Sequence, residues 1–174
     1  IFYHNGISVN RDIKMAIDWY SKAANQNYIP SQINIAKLYY SGDGIEKNLK
    51  EAIAWWRKAA NLGSKGAQHN LGLMYFLGEG IEQDYSKAMK WYLLAATQGS
   101  KEAQNSIGFM YFEGKGVDKD LIEAYAWFQL AASSDYDQAR LNSSIVEANL
   151  NDKEIQQAKE RAERYLYKYT STEK

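Results

Sequence analysis

The stretch LGLMYFLGEGI, at residues 71–81, decides the fold of this chain because the chain repeats it. It returns as FMYFEGKGV at residues 109–117 and, more loosely, as KLYYSGDGI at residues 37–45. Pairs of alanines keep the same interval of 36 residues and begin at Ala23, Ala59, Ala95 and Ala131. A fixed period of this size is typical of a solenoid, in which stacked repeats bury one continuous core.

Each repeat predicts two helices joined by a G-x-G turn. In the third repeat, Ala67, Leu71 and Tyr75 recur at helical spacing and predict helix A. A glycine after the last apolar residue can end that helix in the left-handed conformation. Helix B should begin at an Asp or Asn that caps its first turn. Asn48 and Asp120 are each followed by a glutamate three residues later, and this spacing predicts a capping box. The predicted caps are Asp12, Asn48, Asp84 and Asp120.

A tryptophan recurs on helix B in every repeat. The four positions are Trp19, Trp55, Trp91 and Trp127. Since one helix hairpin cannot bury its own apolar stripe, neighbouring repeats must stack. We therefore expect the tryptophans at core positions and not on a carbohydrate-stacking surface.

The repeat boundaries predict one solenoid domain over residues 1–174. A truncated repeat at 1–28 precedes three full repeats at 29–64, 65–100 and 101–136. Residues 137–169 lack the G-x-G and predict a terminal helix pair, whose last helix is capped by Asn151 and Glu154. Residues 170–174 are expected to be a frayed tail. The predicted fold class is all-α, a right-handed α-α superhelical solenoid of stacked helix hairpins.

Composition argues against several classes of function. The 21 basic and 21 acidic residues balance, whereas a duplex nucleic-acid partner would require a basic surface. The absence of cysteine excludes disulfides, thiol nucleophiles and cysteine-bound metals. No apolar run approaches the ~18 residues of a membrane span. His4 and His69 should lie two repeat layers apart, too far to share a metal, so the sequence predicts no catalytic residue, metal or cofactor.

The chain resembles the Sel-one-like repeat (SLR) family, a tetratricopeptide-like branch of the α-solenoids. The pattern that carries the resemblance is A-x-x-x-L/I-G-x-x-Y-x-x-G-x-G-V/I-x-x-D/N followed by A-x-x-W-Y/F-x-x-A-A, at residues 67–96 and 103–132. The repeat at 31–60 departs from it at Ser31 and Ala36. The resemblance implies a non-enzymatic scaffold or adaptor that binds another protein or a peptide. It also implies a bacterial setting, in the periplasm, cell envelope or cytoplasm, and we expect a monomer.

The resemblance further implies where a partner would bind, because helix A lines the concave face of tetratricopeptide-like proteins. The predicted groove positions flank the helix-A glycine of each repeat. They are Ile33, Lys37, Tyr40 and Ser41, then His69, Leu73, Phe76 and Leu77, then Asn105, Phe109, Phe112 and Glu113. His4 and Asn5 would extend one end of the groove, and Leu141 and Ile145 the other. Their largely apolar character favours an interaction surface, with packing between A helices as the alternative.

Two other functions stay open. A bacterial immunity or inhibitor protein that neutralises a secreted toxic enzyme would use loops or the convex face as readily as the groove. An enzyme is the third hypothesis, although the sequence has no H-E-x-x-H, G-x-S-x-G or P-loop pattern. The G-x-G turns follow helices instead of strands, so helix termination explains them better than phosphate binding.

Overall fold

The structure is a computed structural model that describes residues 13–170, in which the regular secondary structure is helical. Nine helices and no strands occur in these residues, which confirms the predicted all-α class. The helices are α1 (Ile13–Ala24), α2 (Ile29–Ser41), α3 (Leu49–Asn61), α4 (Lys65–Leu77), α5 (Tyr85–Ala96), α6 (Lys101–Glu113), α7 (Leu121–Ala132), α8 (Asp137–Glu147) and α9 (Asp152–Thr170). The predicted cap Asp12, the groove residues His4 and Asn5, and residues 171–174 of the tail lie outside the described residues.

The helices divide into two compact units, of which the first extends to Gln83 and the second begins at Asp84. In the first unit α2 packs on α1 and α3, and α4 packs on α3. In the second unit α6 packs on α5 and α7, and α7 also packs on α8 and α9. Apart from the contact of α7 with α9, the packed helices in each unit follow one another directly in sequence, as stacked hairpins require. A single domain over residues 1–174 stays a prediction.

The first glycine of each G-x-G ends helix A as expected. Gly42, Gly78 and Gly114 have φ angles of 72°, 73° and 70°, and their N–H groups donate to carbonyls of the last helical turn. A Cβ at Gly114 would lie 3.2 Å from the Cβ of Lys119, and the other two glycines are equally crowded. Glycine is therefore required both for the left-handed backbone and for the close return of the loop.

The predicted N-caps of helix B are confirmed wherever the structure describes them. The side chains that accept a hydrogen bond from the first turn of their helix are Asn48, Asp84 and Asp120. The capping box of α9 is also confirmed, since Asn151 accepts from the Glu154 N–H at 3.0 Å and Glu154 accepts from the Asn151 N–H at 2.9 Å.

The second half of the capping box is wrong for α3 and α7. The N–H groups of Asn48 and Asp120 donate instead to the carbonyl oxygens of Tyr39 and Tyr111, at 2.8 and 3.0 Å. The G-x-G turn brings the end of helix A within reach of these N–H groups, so a backbone acceptor replaces the glutamate. Glu123 consequently has a different role, described below.

A buried glutamine joins successive helices in three repeats. The Nε2 groups of Gln32, Gln68 and Gln104 donate to the carbonyl oxygens of Ala24, Ala60 and Ala96 at 3.0, 3.1 and 3.2 Å. Those carbonyls lie at the end of a B helix, where each accepts only a turn hydrogen bond from the backbone N–H three residues later, and the glutamine supplies a second donor. The sequence interpretation missed these glutamines, although they recur at the same interval of 36 residues.

The tryptophan of helix B is not the core aromatic in every repeat. Trp127 is 3% exposed, whereas Trp19 is 57% exposed, so the predicted core position is wrong for Trp19. The residue that is buried each time is the next one, namely Tyr20, Trp56, Tyr92 or Phe128. Adjacent residues face different directions on a helix, and the tryptophan is covered only where another helix packs on it. Trp127 is covered by the rings of Tyr165 and Tyr169 from α9, at 5.0 and 5.5 Å between centroids.

Candidate functional site

All predicted groove residues within residues 13–170 are half-buried or exposed. In the first unit they are Ile33, Lys37, Tyr40 and Ser41 on α2, and His69, Leu73, Phe76 and Leu77 on α4. In the second unit they are Asn105, Phe109, Phe112 and Glu113 on α6, and Leu141 and Ile145 on α8. A groove that runs through both units stays a prediction, and each unit has a cleft of its own.

The cleft of the second unit, called here the anchor cleft, is apolar. It has a volume of ≈ 220 Å³ and is lined by Phe109, Phe112, Phe128, Asn142 and Ile145. Phe109 and Ile145 are 38% and 46% exposed, whereas Phe128 is buried. The cleft therefore has a fixed aromatic floor and solvent-exposed apolar sides. Phe109, Phe112 and Ile145 were predicted from the sequence, and Phe128 and Asn142 were missed.

Close packing between α6 and α7 fixes the floor of the anchor cleft. Phe128 belongs to a buried cluster of α7, α8 and α9 residues, and Phe112 packs against the edge of that cluster. A Cβ at Gly108 would lie 2.7 Å from Cδ1 and Cε1 of the Phe128 ring. Glycine at this position of α6 is thus what allows the helix to approach the ring.

Side-chain amides hold α8 beside the anchor cleft. Asn142 donates through Nδ2 to Oδ1 of Asn105 at 2.9 Å, which links α8 to α6. Gln129 of α7 donates through Nε2 to Oγ of Ser143 at 2.9 Å. Asn105, predicted as a groove residue, therefore takes part in a bond that fixes the wall of the cleft.

Two lysines from the loop after α6 contact the rings of the anchor cleft. The Lys119 ammonium lies 5.5 Å from the centroid of the Phe112 ring, and the Lys115 ammonium lies 5.7 Å from that of Phe109. Such distances are typical of cation–π contacts. The predicted groove residue Glu113 is exposed on the last turn of α6.

Helix α9 is fixed to α7 by Glu123, the glutamate that is not needed for the capping box. Its carboxylate accepts a hydrogen bond from the Tyr165 hydroxyl at 2.5 Å and pairs with the Arg161 guanidinium. Burial raises the pKa of the Tyr165 hydroxyl, so this phenol stays a donor through the neutral range. Helix α9 covers the surface of α7 that carries Trp127, and the anchor cleft is lined by α6, α7 and α8 alone.

The first unit has a more polar cleft on helix A, with a volume of ≈ 430 Å³. Its lining residues are Asn34, Lys37, Leu38, Tyr40, Ser41 and Asp43, three of which were predicted groove residues. Tyr40 packs on Trp56 with ring centroids 5.3 Å apart, and the Lys47 ammonium lies 5.4 Å from the Tyr40 ring. Tyr40 and Lys47 occupy the repeat positions of Phe112 and Lys119, so an aromatic ring with a lysine over it recurs in both units.

The groove residues of α4 line neither of these two clefts. The residues concerned are His69, Leu73, Phe76 and Leu77. At the position of Lys47 and Lys119 this repeat has Gln83, which donates through Nε2 to the carbonyl oxygen of Phe76 at 2.9 Å.

Within residues 13–170, no three His, Asp or Glu side chains are grouped so that they could hold a metal ion. None of the helices in that range is both long and apolar enough to cross a bilayer.

These features define the class of protein as an α-solenoid of helix-hairpin repeats. The family model for the Sel1 repeat matches residues 1–28, 29–64, 66–100 and 101–136, and the chain belongs to the Sel1 repeat family. Proteins with Sel1 repeats generally mediate protein–protein interactions. Among curated proteins, none matches this sequence.

Two solved bacterial structures are similar to this chain. One is a Sel1 repeat protein from Oxalobacter formigenes, with 31% identity and a TM-score of 0.75, where the match covers 94% of this chain and 69% of that protein. The other is a protective antigen present in uropathogenic Escherichia coli strains that displays an SLR fold, with 31% identity and a TM-score of 0.68. That match covers 98% of this chain and 44% of the antigen, so the chain spans less than half of the antigen's length. Both relatives support the solenoid fold class.

Proposed function

We propose that this chain is a non-enzymatic interaction scaffold that binds a segment of another protein on its A helices, with the anchor cleft as the main contact. The observation that carries the proposal is the exposure of Phe109 and Ile145 around the buried Phe128 ring. Large apolar side chains grouped around a well-packed pocket are typical of the centre of a protein interface.

The size of the anchor cleft favours a side chain of a partner protein over a small molecule. Its volume of ≈ 220 Å³ is below the roughly 300–1,000 Å³ of most small-molecule pockets. An aromatic or branched aliphatic side chain could enter it and contact Phe128. Neighbouring residues of the same segment would then lie over the A-helix surface, which the family geometry implies to be concave.

The A helices of the first unit carry an aromatic residue at a matching position. An aromatic residue occupies the same repeat position in Tyr40, Phe76 and Phe112, and each is half-buried. The immunity-protein and enzyme hypotheses stay predictions, as do the monomeric state and the absence of a nucleic-acid partner.

The proposal can be tested by capture of partners from native lysate with three baits in parallel: the unmodified chain, Phe109→Glu and Leu94→Glu. Leu94 is a matched control because it is 49% exposed in the same unit but lies on α5, a B helix. Phe109 is preferred over Phe112, which packs against the core cluster. We expect the partner to be lost with Phe109→Glu and kept with Leu94→Glu. The same captured proteins with all three baits would refute the anchor-cleft assignment.

A further inference from the structure

We infer that the segment bound at the anchor cleft carries a carboxylate within one or two residues of its apolar anchor, and that Lys119 binds this carboxylate. The inference rests on the proposed function, because it names the chemistry of the partner at that cleft. It goes further in assigning a specificity-determining role to a loop residue outside the predicted groove positions.

Lys119 is placed to present a positive charge at the edge of the anchor cleft. Its ammonium lies 5.5 Å from the Phe112 ring centroid, and its side chain is exposed. Among the described residues it forms no ion pair. A carboxylate would accept hydrogen bonds from the ammonium, whereas an aromatic face attracts the cation without accepting such bonds. The three N–H donors of Lys119 therefore remain accessible.

Charged side chains on α8 form ion pairs within the second unit. Arg140 pairs with Asp135 at 2.6 Å and with Asp137 at 2.5 Å. Glu147 pairs with Lys159 at 3.0 Å. Two cations and three carboxylates leave this set with one net negative charge, but none of the five side chains lines the anchor cleft, whereas cations from the loop after α6 contact its rings.

Within that loop, the side chains that contact cleft-lining rings are cations. Lys115 lies over Phe109 as Lys119 lies over Phe112. The carboxylate of Asp120 caps α7 by accepting from two backbone N–H groups, each at 2.9 Å, and is directed at the helix terminus. Glu113 and Asp118 are exposed neighbours that would repel a bound carboxylate, so their removal should tighten binding.

Distances limit where the carboxylate can lie in the bound segment. An anchor in the cleft would sit beside the Phe112 ring, and the Lys119 ammonium is 5.5 Å from the centre of that ring. Successive residues of an extended chain are about 3.3 Å apart. A carboxylate one or two residues from the anchor therefore falls within reach of the ammonium.

The test uses a random twelve-residue peptide library displayed on phage, selected against the 174-residue chain. We expect selected peptides to share an aromatic or aliphatic anchor with Asp or Glu one or two positions away. Selection against Lys119→Gln should lose the acidic residue and keep the anchor. Lys153→Gln is the matched control, because it removes the same charge from an exposed position on α9 that does not line the cleft.

A selected peptide is then labelled with fluorescein and its binding is measured by fluorescence anisotropy. We expect Lys119→Gln, or replacement of the peptide's acid by its amide, to weaken binding about two- to fivefold, the effect of an exposed ion pair. This loss should shrink at high salt, and Glu113→Gln should tighten binding. An acidic preference that persists unchanged in Lys119→Gln would overturn the role of Lys119.

The library also separates failure of this inference from failure of the proposed function. Apolar peptides without an acidic preference, whose binding is lost in both Phe109→Glu and Ile145→Glu, would overturn the inference and support the anchor cleft. If neither substitution weakens the binding of any selected peptide, both proposals are wrong. Phe109 and Ile145 are both solvent-exposed, so neither substitution should unfold the chain. A loss of binding in both variants is therefore attributed to the anchor cleft.

Discussion

Adding one methyl group at Gly108 tests the packing beneath the anchor cleft. Replacing a helical glycine with alanine usually stabilises a protein, by up to about 1 kcal/mol. At Gly108, however, the new Cβ would lie 2.7 Å from two atoms of the Phe128 ring and 3.1 Å from a third. Overpacking of this kind costs about 1–3 kcal/mol, because a buried ring cannot move aside freely. We expect Gly108→Ala to lower the free energy of unfolding by about 0–2 kcal/mol after the helix gain is subtracted.

Gly66→Ala provides the matched control for this prediction. Gly66 lies in the first turn of α4, and a Cβ there would meet no atom within 4 Å. It should therefore show only the helix gain of at most about 1 kcal/mol. The difference between the two variants, measured by urea denaturation, isolates the overpacking effect of about 1–3 kcal/mol. If Gly108→Ala proves as stable as Gly66→Ala, the argument that glycine is needed for the approach of α6 to Phe128 is refuted.

Three further predictions concern the polar contacts that hold the helices. Gln104→Ala removes the side-chain hydrogen bond to the Ala96 carbonyl, which keeps the Gly99 N–H as a donor, so urea denaturation should show a loss of about 0.5–1.5 kcal/mol; a loss near zero would contradict the argument. The pKa of Asp84 is lowered, mainly by the hydrogen bond from a backbone N–H, so the folded state binds the proton less readily than the unfolded state. Stability should therefore fall with pH below about 4, and a titration of the urea midpoint should be flatter for Asp84→Asn; equal slopes would disprove the link. Glu123→Ala should raise hydrogen exchange selectively in α9, since the Tyr165 contact is lost, and a uniform increase across the second unit would count against this.

Part of the candidate site could be predicted from the repeat alone. Phe109 and Phe112 follow from their register with the helix-A glycine, and the structure places both in the anchor cleft. Phe128 was missed because the core position of helix B was assigned to the preceding tryptophan. An aromatic residue follows the tryptophan in every repeat and could have indicated the buried position. Asn142 was missed because α8 departs from the repeat pattern, so no register assigned its side chain to the α6 surface.

Register could not predict the cationic character of the site. Lys119 follows Gly114 by five residues, in a loop where the repeat pattern specifies no side chain. Its position over Phe112 depends on the left-handed turn at Gly114, which returns the loop to the end of helix A. The same turn offers the Tyr111 carbonyl to Asp120, and this contact made the predicted capping box wrong.

The sequence by itself determined the helix pairs, their ends and the family. The repeat period, the positions of the glycines and the cap residues are local features, and they recur from one repeat to the next. Tertiary structure decided which of the repeated side chains are buried and which remain available to a partner. Trp19 and Trp127 hold the same repeat position, yet one is 57% exposed and the other is covered by the terminal helix. Burial depends on the neighbour that packs against a residue, and a repeat pattern specifies the residue without specifying that neighbour.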